Sequence, residues 1–287
     1  KIYESENGYV DLRANRKNWK EHLQKLSTQT RGQTPPGYGP TGLNDEQHKD
    51  GKNVRQIISW LEQKKHGEKP FFIACGIQKP HVPFLAPQKY FDLYPQKELK
   101  LPLSPSNDWE DIPKLAMVKR FQAFGFEMGR ENDDLRRQYT QAYHACISYI
   151  DAQLGLVFKT LRERNLWENT IVIFTSDHGY HLGEHFMWGK VTLFEECARV
   201  PFIIRVPGVT QKGTKTNALV ELVDFHPTLL ELCGLKAKSS LQGKSFVPLL
   251  RDPDSPGKKY AYTVVSRGTK LGRSIRTNDW RYAEWGD

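Results

Sequence analysis

The stretch TIVIFTSDHGYHLGEHFMWGK, residues 170–190, joins an apolar run to a dense group of titratable side chains. It opens with an apolar, β-branched run, which predicts a buried strand over residues 169–175. One Asp, three His, one Glu and one Lys follow that run. Charged side chains directly after a buried strand are typical of α/β proteins, in which ligands bind beyond the carboxyl ends of parallel strands.

Other segments extend this α/β pattern. KPFFIACG (69–76) and VPFIIRV (200–206) predict two more buried strands, and apolar residues at helical spacing predict helices from residue 50 and over 133–161. A further helix is expected to start at Asp224 as N-cap and to end before Gly234. We therefore predict a mainly parallel sheet flanked by helices over residues 1–250. The alternating pattern after it predicts the beginning of a smaller antiparallel subdomain over residues 251–287.

Composition narrows the class of partner. The 287 residues carry a formal net charge of +9, which favours an anionic partner. The basic residues are scattered, and no nucleic-acid-binding motif is recognisable, so nucleic acid is not the expected partner. The longest apolar run, FFIACGI, is far shorter than a membrane span, so no membrane span is expected.

The histidine-rich stretch allows three interpretations. Asp177 and His178 could bind a divalent cation at the end of the strand. His181 and His185 have the spacing of a helical zinc site, but Gly183 lies between them and disfavours a helix. The stretch could also be a polar surface loop. Lys190 would either neutralise an anionic ligand or lie on the surface.

A second candidate group lies in the loop IQKPHVPF, after the predicted strand at 69–76. Pro80 and Pro83 stiffen the loop and would fix His81. A fixed histidine beside Lys79 suits anion binding or proton transfer to a leaving group, although a turn with an incidental histidine remains possible. Residues 85–130 are Pro-rich and irregular, and are either a substrate-facing insertion or a surface excursion.

Taken in order, FTSDHGYHLGEH, MWGK, GIQKPHVPF, VELVDFHPTLLELCGL and SIRTNDWRYAEW resemble the sulfatase family of the alkaline phosphatase superfamily. The KPHVPF loop and the SIRTNDWRY strand are most similar to the iduronate 2-sulfatase branch. The motifs occur in the order that they have in the family, and together they cover about residues 70–287. The resemblance implies an alkaline-phosphatase-like α/β fold and hydrolysis of sulfate esters, with a sulfated sugar or glycan as substrate.

The resemblance also implies roles for individual residues. Asp177 and His178 would ligate one divalent cation, most often calcium in this family. Lys190 and His81 would be catalytic and contact the sulfate ester, with Lys79 as a further substrate-binding residue. Lys1 would match the catalytic lysine of the family's Gly-Lys motif, although Glu4 stands where this branch has a histidine. The alternatives are a phosphodiesterase or phosphonate hydrolase of the same superfamily, or a non-catalytic sulfoglycan-binding module.

One family feature is not found in the chain. Sulfatases use a formylglycine nucleophile made from the Cys or Ser of C/S-x-P-x-R, and none of the cysteines or serines here stands in that motif. The cysteines are Cys75, Cys146, Cys197 and Cys233. We expect an internal fragment whose formylglycine and remaining metal ligands belong to a missing N-terminal segment or chain of the same enzyme. The resemblance implies a periplasmic, secreted or lysosomal location.

Overall fold

The computed structural model describes residues 38–118 and 132–286, together with the backbone of two short strands, β3 (Gln122–Ala123) and β4 (Phe126–Glu127). Lys1, one of the predicted catalytic residues, lies outside the described residues. The chain divides into two compact units. The first holds the described residues up to Leu101 together with Ala123–Arg164, and the second holds Pro102–Gln122 and Asn165–Asp287.

The first unit is built around one long helix. Its elements in chain order are β1 (Tyr38–Thr41), α1 (Lys49–Glu62), β2 (Phe84–Pro87), α2 (Gln88–Phe91) and α3 (Asp133–Glu163). Strands β1 and β2 pair in parallel, with Tyr38 opposite Phe84. Helix α3 packs against α1 and β2, and its apolar stripe contributes the fully buried Tyr139 and Tyr149 to the core.

The predicted helices of this unit are confirmed. At the start of α3, the side chain of Asn132 accepts a hydrogen bond from the backbone N–H of Leu135 at 3.1 Å, which satisfies a donor that the first helical turn leaves unpaired. In α1, Val54, Ile57 and Leu61 form the buried stripe expected from their spacing. The presence of α1 and α3 could therefore be predicted from short-range sequence pattern alone.

The second unit contains the histidine-rich stretch and the C-terminal sheet. Its strands are β5 (Val172–Thr175), β6 (His181–Leu182), β7 (Trp188–Gly189), β8 (Phe202–Arg205), β9 (Ala261–Arg267), β10 (Lys270–Arg276) and β11 (Arg281–Gly286). Its helices are α4 (Glu195–Ala198), α5 (Phe225–Leu232) and α6 (Val247–Arg251). Phe202, Phe225 and Phe246 pack together at its centre, with ring centroids of Phe202 and Phe225 4.6 Å apart.

The predicted strands of this unit form, but β5 and β8 do not pair in parallel, as the sequence predicted. Strands β5 and β8 pair antiparallel, with Val172 opposite Arg205. A parallel pair needs a long crossover that returns the chain to the other end of the sheet. The loops between Thr175 and Phe202 instead return the chain to the end where β5 stops. The C-terminal strands form the predicted antiparallel sheet, in the order β11–β10–β9.

One further expectation is corrected, and one is confirmed in position. Residues 69–76 do not form a strand, and Phe72 within them is 84% exposed. A buried strand needs ladder partners, and no strand among the described residues pairs with this segment. Asp224 occupies the predicted N-cap position of α5, and the helix ends at Leu232, before Gly234, but the Asp224 side chain makes no capping hydrogen bond to α5. Its carboxylate instead accepts the backbone N–H of Glu221 at 2.9 Å.

Within the described residues, none of the helices combines the length and the apolar character needed to cross a bilayer.

Candidate active site

A tight turn follows β5 and carries Asp177 and His178. The Ser176 hydroxyl donates to the backbone carbonyl of His178 at 2.8 Å, and the Gly179 N–H donates to the carbonyl of Cys197 at 2.8 Å. A Cβ atom at position 179 would lie 1.9 Å from the carbonyl oxygen of Glu196. Glycine is therefore required here because the turn and the chain before Arg199 approach too closely for any side chain.

The two predicted metal ligands are oriented as a pair. His178 Nδ1 lies 2.9 Å from the carbonyl oxygen of Gly179, and a carbonyl only accepts, so Nδ1 carries the hydrogen and Nε2 is left to ligate. His178 Nε2 lies 3.7 Å from Asp177 Oδ1, and the Asp177 side chain is 86% exposed. Two ligands placed at about 2.3–2.6 Å from one calcium ion, at roughly right angles, are about 3.3–3.7 Å apart.

This donor pair fits part of a divalent cation site. No group of three or more His, Cys, Asp or Glu side chains in the described ranges could hold a metal ion. Asp177 and His178 supply two donors, whereas calcium takes about six to eight. The remaining ligands would have to come from other groups.

The alternative zinc site at His181 and His185 is not supported. Gly183 adopts φ +113°, His185 adopts φ +53°, and the intervening residues form a single tight turn, so the two histidines do not share a helical face. His181 is fully buried, and its Nε2 lies 2.9 Å from the hydroxyl of Thr192. Burial, with a smaller effect from His185, lowers the pKa of His181 to about 4, which keeps this ring neutral at pH 7.

His185 has a different partner, which sequence reasoning did not identify. Its Nδ1 lies 2.8 Å from Asp108 Oδ2, and its backbone N–H donates to the Ser104 hydroxyl at 3.2 Å. Trp109 packs edge-on against Phe186, with ring centroids 5.2 Å apart. The described part of the irregular segment 85–130 therefore includes residues that hold the histidine-rich stretch in place.

Lys190 lies just after a short hairpin, β6–β7, in which His181 pairs with Gly189. The lysine is flanked by two residues with left-handed backbone, Gly189 at φ +138° and Val191 at φ +68°. In the ranges that the structure describes, no hydrogen bond or ion pair engages the ammonium group of Lys190. The Lys190 side chain is half-buried, and its contact with an anion stays a prediction.

The loop with Lys79 and His81 belongs to the first unit and is held by helix α1. Asp50, in the first turn of α1, is 2% exposed. Its two carboxylate oxygens accept the backbone N–H groups of Gln78 and Lys79, each at 2.9 Å. Asn53 of the same helix donates to the carbonyl of Gly76 at 3.0 Å. Asp50 gave no functional signal in the sequence, because its role depends on a contact between distant segments.

Lys79 and His81 of this loop differ in their contacts and in their exposure to solvent. The Lys79 ammonium donates to the carbonyl of Pro83 at 2.5 Å, and burial lowers the pKa of Lys79, with Cys146 and Asp50 opposing that shift. Its substrate contact stays a prediction. His81 is exposed, and its Nδ1 lies 2.6 Å from the carbonyl oxygen of Val82. This contact leaves Nε2 of His81 as the outward nitrogen.

The comparisons agree with the resemblance seen in the sequence. The family model described as Sulfatase matches residues 4–235. A sulfatase of Formosa agariphila is 34% identical over 235 residues, covering 81% of this chain and 46% of that protein. Iduronate 2-sulfatase of Mus musculus is 32% identical over 306 residues, covering 82% of this chain and 55% of that protein.

Solved structures share the fold. A protein crystallised with its substrate D-glucosamine-2-N,6-O-disulfate superposes with a TM-score of 0.69 at 24% identity, covering 83% of this chain and 62% of that one. Phosphonate monoester hydrolase of Agrobacterium radiobacter gives a TM-score of 0.72 at 21% identity, covering 93% of this chain and 60% of that one. The chain thus has the alkaline-phosphatase-like α/β fold.

The chain spans about half the length of the curated relatives it matches. The match nevertheless includes the turn with Asp177 and His178, the Lys190 segment and the loop with His81. With a family model over most of the chain and relatives above 30% identity, the chain belongs to the sulfatase family.

Proposed function

We propose that the protein containing this chain is a sulfuric ester hydrolase that cleaves sulfate esters of a sulfated uronic acid or a similar sugar. The observation that carries the proposal is the geometry of Asp177 and His178. Their donor atoms lie 3.7 Å apart, as expected for neighbouring ligands of one cation. Family membership and the basic net charge of +9 support an anionic substrate.

In this proposal, Lys190 offsets the negative charge of the sulfate group. A sulfate monoester keeps its charge at neutral pH, and that charge repels an incoming nucleophile. An ammonium beside the equatorial oxygens would stabilise the charge that develops in the transition state. The left-handed backbone at Gly189 and Val191 constrains the point from which the Lys190 side chain extends, which supports this role.

His81 would act on the oxygen that links sulfur to the sugar. With Nδ1 donating to Val82, only Nε2 can meet a substrate. A protonated Nε2 can donate to the leaving oxygen as it gains negative charge, which is general acid catalysis. Lys79 would support the same anion, and Lys1 would match the family's Gly-Lys lysine.

Two further groups complete the proposal. Asp177 and His178 would hold a divalent cation, with calcium as the family expectation, and such an ion would polarise the sulfate oxygens. A formylglycine from a segment outside these 287 residues would supply the nucleophile. The substrate partner would be a sulfated small molecule or glycan, in a periplasmic, secreted or lysosomal setting.

The test uses the full-length gene product and a panel of esters. Sugar 2-O-sulfates and 6-O-sulfates are assayed beside matched phosphate and phosphonate monoesters, with the metal content measured for the wild type and Asp177→Asn. The proposal expects release of inorganic sulfate, and loss of both metal and activity in the variant. The proposal would be overturned in favour of a phosphonate hydrolase if the phosphonate ester were cleaved preferentially. It would be overturned in favour of a sulfoglycan-binding module if the protein bound a sulfated polysaccharide without any turnover.

A further inference from the structure

The backbone just after Lys190 adopts a conformation that its sequence does not favour. Val191 has φ +68°, in the left-handed region that β-branched residues avoid. Such a residue persists only when surrounding contacts hold it, and strained residues of this kind cluster at functional sites. The contacts that hold Val191 therefore bear on the position of Lys190.

Three arginines of the C-terminal sheet hold this segment at two points. The guanidinium of Arg267, at the end of β9, donates to the backbone carbonyl of Val191. Four residues further along the chain, Glu195 Oε2 accepts Arg281 Nη2 at 2.6 Å and Arg276 Nε at 3.2 Å. Burial alone would raise the pKa of Glu195, but its hydrogen bonds and the charges of Arg281 and Arg276 lower it below its ordinary value.

The register of the sheet places these arginines on one face. Gly272 of β10 lies opposite Val265 on one side and Trp285 on the other. Because side chains alternate along a strand, every second residue from these positions shares their face. The residues of that face include Arg267, Arg276, Arg281, Ser274 and Trp285. The sheet thus presents one arginine-bearing face.

The same face orients Arg267. A Cβ at Gly272 would lie 2.7 Å from the ring of Trp285, so the glycine makes room for the indole to lie over β10. The guanidinium of Arg267 lies 5.5 Å from the centroid of that ring, within the range of a cation–π interaction. Arg281 is likewise tied by a hydrogen bond from its Nη1 to the Ser274 hydroxyl at 3.2 Å. Both anchors are therefore fixed from within the sheet.

We propose that the sheet β9–β11 positions Lys190 for the reaction, with Arg267 as the principal positioning residue and the Arg276–Arg281 pair on Glu195 as a second anchor. The proposal rests on the proposed function of Lys190. Arg267 acts through the backbone of Val191 and touches no substrate itself. Its loss shifts the lysine rather than removing a charge from the sulfate.

The decisive measurement is a double-mutant cycle in the full-length gene product. Arg267→Ala is made alone and in the Lys190→Ala background, and kcat and KM are measured on a sulfate ester. A misplaced catalytic group costs about 10–100-fold in rate, so Arg267→Ala alone is expected to lower kcat on that order. In the Lys190→Ala background the same change is expected to cost less than about twofold, because the residue it positions is gone.

The chain offers a matched control on the same sheet. Arg273 of β10 lies opposite the exposed Val264, on the other face from Arg267. Arg273→Ala is expected to leave kcat within about twofold, as for an ordinary surface substitution. Equal losses from Arg267→Ala in both backgrounds would overturn the proposal, because Arg267 would then act independently of Lys190.

Hydrogen exchange separates this proposal from the proposed function. Arg267→Ala is expected to raise deuterium uptake over residues 188–193 while leaving β5 unchanged. Arg267→Lys, which keeps a cationic donor group, is expected to raise it less. Unchanged uptake over 188–193 would overturn the positioning role even in a protein that hydrolyses nothing. Absence of hydrolysis by the wild type would refute only the proposed function. If Arg267→Ala does not fold, Trp285→Phe, which keeps Arg267 but weakens its support, is judged by the same two measurements.

Discussion

Replacing Asp50 tests whether helix α1 fixes the loop that carries His81. Asp50→Ala removes two hydrogen bonds, from the backbone N–H groups of Gln78 and Lys79, both at 2.9 Å. Asp50→Asn keeps one acceptor oxygen and turns the other into a donor that faces an N–H group. The carboxylate is 2% exposed, so water cannot readily replace the lost bonds.

The expected magnitude follows from these bonds. A hydrogen bond to a charged group contributes about 1.5–3 kcal/mol, so the free energy of unfolding should fall by about 3–6 kcal/mol in Asp50→Ala. Asp50→Asn should lose at least half of that, because only one bond survives and its acceptor is now neutral. The exposed Asp151 on α3 provides a charge-matched control, and Asp151→Asn should change stability by less than about 0.5 kcal/mol.

Urea titration measures these differences, provided that the dependence on urea concentration is the same in all variants. Hydrogen exchange over residues 76–82 adds a local readout, and we expect faster exchange in both Asp50 variants. The reasoning would be refuted if Asp50→Ala cost less than about 1 kcal/mol, the contribution of a single ordinary hydrogen bond. Such a result would mean that Asn53 and the prolines hold the loop without Asp50.

Three further predictions concern the second unit and the loop with His81. Lys190→Ala and His81→Ala should each lower turnover of a sulfate ester by about 10²–10³-fold at unchanged melting temperature, and unchanged turnover would exclude that residue from the reaction. Gly179→Ala should destabilise the protein by about 1–3 kcal/mol and lower its metal content, because the new Cβ would lie 1.9 Å from the Glu196 carbonyl oxygen. A variant with the stability and metal content of the wild type would contradict this prediction. The pKa of His181 is lowered to about 4, so as pH falls below about 6.5 the unfolded chain binds a proton that the folded chain does not. The wild type should therefore lose about 2 kcal/mol more stability than His181→Gln between pH 7.5 and pH 5, and parallel stability curves would show that His181 is not the group responsible.

Local pattern predicted the parts of the fold that depend on neighbours in sequence. Helix α3 forms where apolar residues at helical spacing predict it, and the apolar runs at β5 and β8 form strands. The C-terminal sheet follows from alternation and turn residues. In each case the information lies within a short window, so hydrophobic periodicity and capping chemistry are sufficient.

Pairing and exposure could not be predicted in the same way. The run at 69–76 has the composition of a buried strand, yet Phe72 is largely exposed, because burial depends on partners that composition does not name. The direction of β8 relative to β5 depends on the path of the loops between them. An apolar run specifies that a segment can pair, but it does not specify with what or in which direction.

In the candidate site, too, features set by local sequence could be predicted and features set by distant contacts could not. Asp177, His178 and Lys190 were predicted as site residues from charged side chains after a buried strand together with the resemblance to the sulfatase family. Asp50 and Arg267 were missed, since each acts on the backbone of a segment far away in sequence. A carboxylate at the start of a helix and an arginine at the end of a strand are common on protein surfaces. Only the fold shows that they contact the segments on which the predicted site residues lie.

The two predicted reactive histidines share one local arrangement and are expected to use it for opposite purposes. In both, Nδ1 faces a carbonyl of the chain that follows, Val82 for His81 at 2.6 Å and Gly179 for His178 at 2.9 Å. Nε2 is thereby the working nitrogen in each ring. A cation shared with Asp177 would take the lone pair on Nε2 of His178, whereas an N–H on Nε2 of His81 would donate to a leaving oxygen. Because the hydrogen bond on Nδ1 leaves Nε2 open to either use, we expect the groups placed beside each ring, rather than its own backbone contact, to decide which histidine would bind metal and which would act as an acid.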